Sequence, residues 1–413
     1  MPNENIAFTE HKAPAAASPL VHALAGFAAL AVAMGIGRFA FTPVLPMMLQ
    51  DAGLSIASGG WLASATYLGY LIGALSAMAL RIRPERVIRG GLVIVGIVTM
   101  AMALALSLSL PFGAWLLLRL LAGIASAWVL ISISAWCLET LAAYQRPFLN
   151  SLVFSGVGGG IATAGLLCIG LTEVDAGSRT AWSALGLLAL SVTALIWRFF
   201  PPHAPAPHGV KPGGRGAFLW NADAVRLVCC YGVFGFGYII PATFLPVMAK
   251  NALHGSAAFG WTWPLFGVAA AGSTLAVATL KRRMSNRRLW MIGHWTMAAG
   301  ILLPVFSPQL LSILAAALCV GGTFMVITLV ALQEAKHVAG RDATVLIAAM
   351  TSAFAGGQIV GPLTVRAAAG GNASFSVGLT VAAMLLAAST LLLKKRASDD
   401  STIIHALPGS RGS

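Results

Sequence analysis

The sequence predicts an all-α integral membrane protein in which twelve transmembrane helices form two pseudo-symmetric bundles of six. Composition is the first observation, because 58% of the 413 residues are hydrophobic and only 9% are charged, whereas soluble domains carry roughly 25% charged residues. The charged residues fall in short clusters between apolar stretches of about 20 residues, the length that crosses a bilayer. The second observation is an internal repeat at an offset of 200 residues, and duplicated apolar chains are typical of secondary transporters.

The repeat is clearest in the first helix of each half. The constant offset pairs Gly35 with Gly235, Gly37 with Gly237, Pro46 with Pro246, Gly60-Trp61 with Gly260-Trp261, and Gly156 with Gly356. Since proline has no backbone N–H, we expect Pro46 and Pro246 to bend their helices or to end the regular part.

The apolar stretches set the expected boundaries. We expect spans at residues 20–49, 58–80, 88–110, 112–138, 147–171, 179–199, 225–250, 257–280, 289–307, 309–335, 341–367 and 373–393. The predicted parts are a cytoplasmic tail (1–19), an N-terminal bundle (20–199), a cytoplasmic linker (200–224), a C-terminal bundle (225–393) and a cytoplasmic tail (394–413). The linker is dense in proline and glycine, which is typical of a flexible connection.

The basic residues predict the orientation in the membrane. With both termini in the cytoplasm, Arg179 and Lys250 fall outside and Arg38, Arg119 and Arg366 fall within spans, which leaves 21 of the 26 Lys and Arg on the cytoplasmic side. This positive-inside bias predicts a multi-pass protein of the cytoplasmic (inner) membrane. No basic stretch is interleaved with exposed aromatics, which argues against a nucleic-acid partner. The five cysteines lie in apolar segments without a CxxC pair, so we expect no disulfide, metal site or other cofactor.

Two sequence runs carry a family resemblance. Gly-Ile-Gly-Arg-Phe-Ala-Phe-Thr-Pro-Val-Leu-Pro-Met at 35–47 and the run Gly60–Tyr70 resemble the YbfB/YjiJ branch of the major facilitator superfamily, over about residues 20–395. The resemblance implies a transporter of a small molecule that works by alternating access, with protons as the candidate coupling ion. We expect the protein to be a monomer.

Other superfamily patterns are present in part. The loop after the second span has Arg81 and Arg83 but lacks the usual aspartate, and the matching second-half loop includes Arg283. Arg119 begins an Arg-x-x-x-Gly pattern, and the resemblance implies a role for Arg119 in proton coupling. Alternatively, Arg119 snorkels towards the outer surface. The glycine-rich fifth span lacks the proline of antiporters, whereas Gly361-Pro362 occurs in the eleventh.

Charged residues near the cytoplasmic interface are gate candidates. Glu139 and Arg146 lie seven residues apart, and Glu334 and Arg341 repeat this spacing in the second half. We expect them either to anchor helix ends at the interface or to form, with Arg81, Arg83 and Arg283, a gate whose ion pairs break during transport.

Small residues predict close helix contacts. Gly156 and Gly160 have small-xxx-small spacing, which lets a neighbouring backbone approach closely. The expected packing or hinge positions are Gly35, Gly37, Pro46, Gly156, Gly160, Gly235, Gly237, Pro246, Gly361 and Pro362. Static packing and sliding during transport are both compatible with this pattern.

Arg38 is the main substrate-binding candidate. It lies well inside the first span, and no Asp or Glu occupies the middle of any span. A central arginine costs about 2.5–3.5 kcal/mol to insert, so it either snorkels, bonds to carbonyls, or faces the cavity and binds an anion. Tyr238 is its counterpart in the second half, and Thr42 is assigned to the same site. We expect His294 to be a packed residue and not a proton carrier.

These features predict a secondary active transporter for a small solute, with an organic anion as the expected class. Proton-coupled export of drugs or metabolites is the alternative. A non-transporting sensor or a membrane-embedded enzyme is disfavoured, because the sequence lacks HExxH, GxSxG and P-loop motifs. We therefore expect no enzymatic activity.

Overall fold

A computed structural model describes residues 18–79, 82–141, 147–201, 220–252, 260–281, 283–340, 343–367 and 372–394. Arg81, Arg146 and Arg341 lie outside these ranges, as do most of the predicted linker and tails. The described residues are helical and contain no strand.

Long helices make up the described chain. We number them α1 (Pro19–Asp51), α2 (Ile56–Ala79), α3 (Pro84–Ser107), α4 (Phe112–Thr140), α5 (Pro147–Glu173), α6 (Ser178–Ile196), α7 (Ala222–Ala252), α8 (Thr262–Leu280), α9 (Asn286–Phe306), α10 (Leu310–Ala339), α11 (Ala343–Ala367) and α12 (Asn372–Lys394). Within α1, residues Ala31–Phe39 form a π-helix. This stretch contains Gly35, Gly37 and Arg38, and π-helical turns are often found at functional sites.

Ten helices of the described chain are long and apolar enough to cross a membrane. The other two helices are α2 and α8, and in α8 the apolar segment found among the described residues is Thr262–Val277. Three polar residues of α2 are buried and form hydrogen bonds, namely Ser64, Thr66 and Tyr67.

Helix packing repeats between the two halves. In the first half α2 packs on α4, α3 on α6 and α1 on α5, and in the second half α8 packs on α10, α9 on α12 and α7 on α11. Contacts between the halves are made by α5 with α8, α2 with α11, and α1 with α7. Asp51 at the end of α1 accepts hydrogen bonds from the backbone N–H and the hydroxyl of Ser178 at the start of α6. We call this end of the molecule the distal end.

Several of the glycines expected at helix contacts lie close to a neighbouring helix. A side chain at Gly156 or Gly160 would collide with the backbone of Phe27 or Ala31, and one at Gly35 would collide with Gly160. In the second half Gly235 lies against Phe354, but Gly357, not Gly356, lies against Gly232, and Gly356 meets open space. The close backbone contact in α11 is therefore made by Gly357 and not by the residue that the sequence offset pairs with Gly156. Gly37, Gly237 and Gly361 approach the side chains of Val95, Leu386 and Ile239.

Pro46 and Pro246 were expected to bend their helices or to end the regular part, and neither ends its helix. Pro46 lies inside the segment Phe41–Asp51, and Pro246 lies inside α7. Pro362 is likewise inside α11. Each proline instead removes one hydrogen bond and leaves the carbonyl four residues earlier without its helical donor.

Candidate functional site

Arg38 lies between the two halves of the chain. It is 4% exposed, and its Nη2 donates to the Oε1 of Gln358 in α11. The Nε2 of Gln358 donates to the hydroxyl of Tyr238 in α7 at 2.8 Å. The structure thus brings Arg38 and Tyr238 to one site, with Gln358 as the residue that joins them.

Aromatic rings surround this chain of hydrogen bonds. The guanidinium carbon of Arg38 lies 4.0 Å from the ring centre of Tyr70 and 5.5 Å from that of Tyr67. Tyr238 stacks on Phe324 and Phe354, with ring centres 5.3 and 5.7 Å away. The rings stabilise the cation through their electron-rich faces and give the site flat, apolar walls.

The charge of Arg38 is not neutralised by an acid. Among the described residues no Asp or Glu forms an ion pair with it, and its buried Nε has no hydrogen-bond partner. A buried unpaired cation is costly. The site therefore has the donors and the charge to bind an anion.

Thr42 does not join the hydrogen-bond chain of Arg38. Its hydroxyl donates to the backbone carbonyl of Ala242 in α7 at 2.8 Å. This carbonyl lies four residues before Pro246, whose missing N–H would otherwise be its helical partner. Thr42 therefore replaces a lost helical hydrogen bond in the other half of the chain.

Arg119 is buried and directed towards the backbone of α1. It is 1% exposed, its Nη1 and Nη2 donate to the carbonyls of Gly37 and Arg38 at 3.3 and 3.0 Å, and its Nε donates to Thr66. A π-helical hydrogen bond to the Arg38 carbonyl would come from residue 43, which is a proline. Arg119 thus satisfies that carbonyl, holds the π-helix in place and does not snorkel. Its role in coupling stays a prediction.

The opposite end carries an ionic cluster within the second half. Arg287 donates to both carboxylate oxygens of Asp223, and its Nε donates to Glu334 at 2.6 Å. Glu334 also accepts from Asn286 at 3.3 Å. All four residues belong to the second half, so this cluster ties α7, α9 and α10 together.

The other gate candidates have no such contacts in the described chain. Arg283 is exposed, Arg83 is half-buried, and the side chain of Glu139 lies outside the described residues.

The packing of glycines shows which positions of the two halves correspond. Gly123 and Gly321 make matching contacts on the backbones of Thr66 and Phe266. If Gly123 is the first-half counterpart of Gly321, then the first-half counterpart of Glu334 is the buried residue Trp136 and not Glu139. The two glutamates of the predicted gate are therefore not at equivalent positions.

His294 has a fixed role in packing. The indole of Trp290 donates to its Nε2 at 2.8 Å, which leaves Nδ1 to donate to the hydroxyl of Ser389 at 2.8 Å. Both ring nitrogens of this fully buried residue are therefore in use, as the sequence predicted.

A cavity of about 110 Å³ lies between the halves near the distal end. Its lining includes Pro46, Gln50, Cys168, Glu173 and Lys250. The Nζ of Lys250 donates to the carbonyl of Pro46 at 3.2 Å, which connects α7 to α1 at this end.

Three residues at the site were not predicted from the sequence, namely Gln358, Tyr67 and Tyr70. A glutamine in the middle of an apolar span is a usable signal, because its amide needs partners that lipid does not supply. The two tyrosines occur in a run that was used only for the family resemblance.

A known protein family matches most of the chain. A family model described as "Uncharacterised MFS-type transporter YbfB" matches residues 30–394, while no curated protein matches the chain. The match includes the Arg38 segment and both halves. The chain belongs to this family of uncharacterised transporters of the major facilitator (MFS) type.

Proposed function

We propose that this membrane transporter is a secondary transporter that carries a small organic carboxylate across the cytoplasmic membrane by alternating access. Its two six-helix bundles, 20–199 and 225–393, rock about a site at Arg38, Gln358 and Tyr238. The repeated packing of the two halves supports this architecture. Family membership favours a transporter over an enzyme.

The observation that carries the anion assignment is the incomplete pairing of Arg38. The guanidinium is buried and cationic, donates to the neutral amide of Gln358, forms no ion pair with an Asp or Glu of the described residues and leaves Nε unbonded. A carboxylate matches its planar donor fork and forms charge-assisted hydrogen bonds that are stronger than those to an amide.

The contacts between the halves support a state that is closed at the distal end. They run from Arg38–Gln358, through Tyr67–Thr243 and Thr42–Ala242, to Lys250–Pro46. Both termini in the cytoplasm would make the distal end the outer side. Opening to the outside then requires these hydrogen bonds to break.

A thermal-shift experiment on purified protein tests the anion assignment. Benzoate should raise the apparent melting temperature because it binds only the folded state, whereas the neutral isostere benzamide should not. Arg38→Ala should abolish the benzoate shift and Arg38→Lys should retain part of it. Arg179→Ala, at an exposed arginine, is the matched control. Equal benzoate shifts in the wild type and Arg38→Ala would contradict the proposal.

A further inference from the structure

We infer that Gln358 is a specificity-determining residue whose side-chain amide occupies the position of the substrate carboxylate at Arg38. The substrate carboxylate replaces Gln358 as the hydrogen-bond partner of the Arg38 guanidinium. Loss of the Arg38–Gln358 hydrogen bond then separates the two halves of the molecule at the site. The inference rests on the proposed function, because it assigns a second residue to the same binding site.

The shape of the amide indicates which anion fits. Gln358 is fully buried, and its Oε1 accepts from the edge of the guanidinium while its Nε2 donates to Tyr238. The ring of Tyr70 covers the guanidinium at 4.0 Å, which leaves the donor edges for binding. A carboxylate is planar and similar in size to an amide, whereas sulfonate and phosphate groups are tetrahedral. The site therefore selects a carboxylate.

Gln358 lies where the backbone hydrogen bonding of α11 is interrupted. Its backbone carbonyl lies four residues before Pro362, which is inside the helix and cannot supply the helical N–H. Glycines flank it at 357 and 361, where the helix lies close to α7. A local change in α11 therefore breaks fewer backbone hydrogen bonds here than in an uninterrupted helix.

Competition explains how binding is linked to movement. Arg38 belongs to α1 and Gln358 to α11, so their hydrogen bond joins the two halves. A carboxylate that binds Arg38 must first release Gln358, and the apparent affinity is lowered by the fraction of molecules in which this bond is intact. The bond thus couples occupancy of the site to separation of the halves.

Two substitutions at Gln358 test this competition. Gln358→Glu places a carboxylate on Arg38 from within the chain, so the ligand-free protein should melt at a higher temperature and benzoate binding should weaken by at least about 100-fold. Gln358→Ala removes the competitor, so benzoate should bind about tenfold more tightly, the change that one typical hydrogen bond produces. Benzenesulfonate should bind the wild type more weakly than benzoate.

The outcomes separate the inference from the proposed function. Gln309→Glu, at an exposed position before α10, is the matched control. It should change neither the melting temperature of the ligand-free protein nor its affinity for benzoate. If benzoate stabilises the wild type and not Arg38→Ala, but binds Gln358→Glu as it binds the wild type, Gln358 is not at the carboxylate position and only this inference fails. If none of acetate, benzoate or citrate stabilises the wild type, the carboxylate proposal fails and the inference fails with it.

Discussion

At the scale of single residues, Thr42 and Pro246 form a matched pair across the two halves of the chain. The proline leaves the Ala242 carbonyl without its helical donor, and the Thr42 hydroxyl supplies a donor at 2.8 Å. Both atoms are buried, because Thr42 is 3% and Ala242 is 1% exposed. Water therefore cannot replace the Thr42 hydroxyl as the donor to this carbonyl.

A double-mutant cycle measures this pairing. Thr42→Val should lower the free energy of unfolding by about 1–2 kcal/mol, because it leaves a buried carbonyl without a donor. In a Pro246→Ala background residue 246 supplies its own backbone N–H, so the same change should cost much less. Additive effects of the two substitutions on thermal stability would show that the two sites are not coupled.

The site was predictable at some residues and not at others, for identifiable physical reasons. Arg38 and Arg119 were detectable because a charge inside an apolar span is costly and usually indicates a functional position. The pairing of Arg38 with Gln358 was not detectable, since the two residues are separated by 320 residues, although a glutamine inside an apolar span is itself a usable signal. The contacts of Arg119 depend on a π-helix, which no periodicity in the sequence indicated.

At the scale of helices, the cluster around Arg287 stabilises the second half. Glu334→Gln removes one of the two carboxylates that accept from Arg287 while the pair with Asp223 remains, so it should destabilise the protein by about 1.5–3 kcal/mol, the range for a hydrogen bond to a charged group. Glu85 is buried near the start of α3 and is in no ion pair among the described residues, so Glu85→Gln is the matched control. The gate hypothesis instead predicts normal stability and altered accessibility of the cavity from the cytoplasm. Thermal denaturation and thiol labelling of an introduced cysteine decide between them.

Lys250 connects α7 to α1 at the distal end. Lys250→Met keeps the length of the side chain but removes the hydrogen bond to the Pro46 carbonyl, so the distal end should open more often. Cys168 is buried and lines the distal cavity, and it should react several-fold faster with a membrane-impermeant thiol reagent. Arg179→Met is the control for loss of a distal charge, and Cys168→Ser identifies the labelled residue. Unchanged labelling would mean that Lys250 does not hold this end closed.

At the scale of the whole molecule, the described helices match the predicted spans closely in order and position. Long apolar stretches and glycine spacing were sufficient for this, because lipid requires every backbone group to be bonded within a helix. The predicted bundle boundaries and orientation depend on residues outside the described ranges. Reporter fusions after Pro207 and at the C-terminus should both indicate cytoplasm, and one within Glu173–Ser178 should indicate the outside. An external signal after Pro207 would overturn the predicted orientation.

Transport in proteoliposomes tests the central claim that this protein moves a carboxylate through a site at Arg38. Vesicles containing the purified protein should take up radiolabelled benzoate in exchange for unlabelled benzoate inside, and benzamide should not compete. Arg38→Ala should reduce the exchange to the level of empty vesicles, while Arg179→Ala should exchange like the wild type. Normal exchange by Arg38→Ala would contradict the account, because a carboxylate would then cross without the charge that is proposed to bind it.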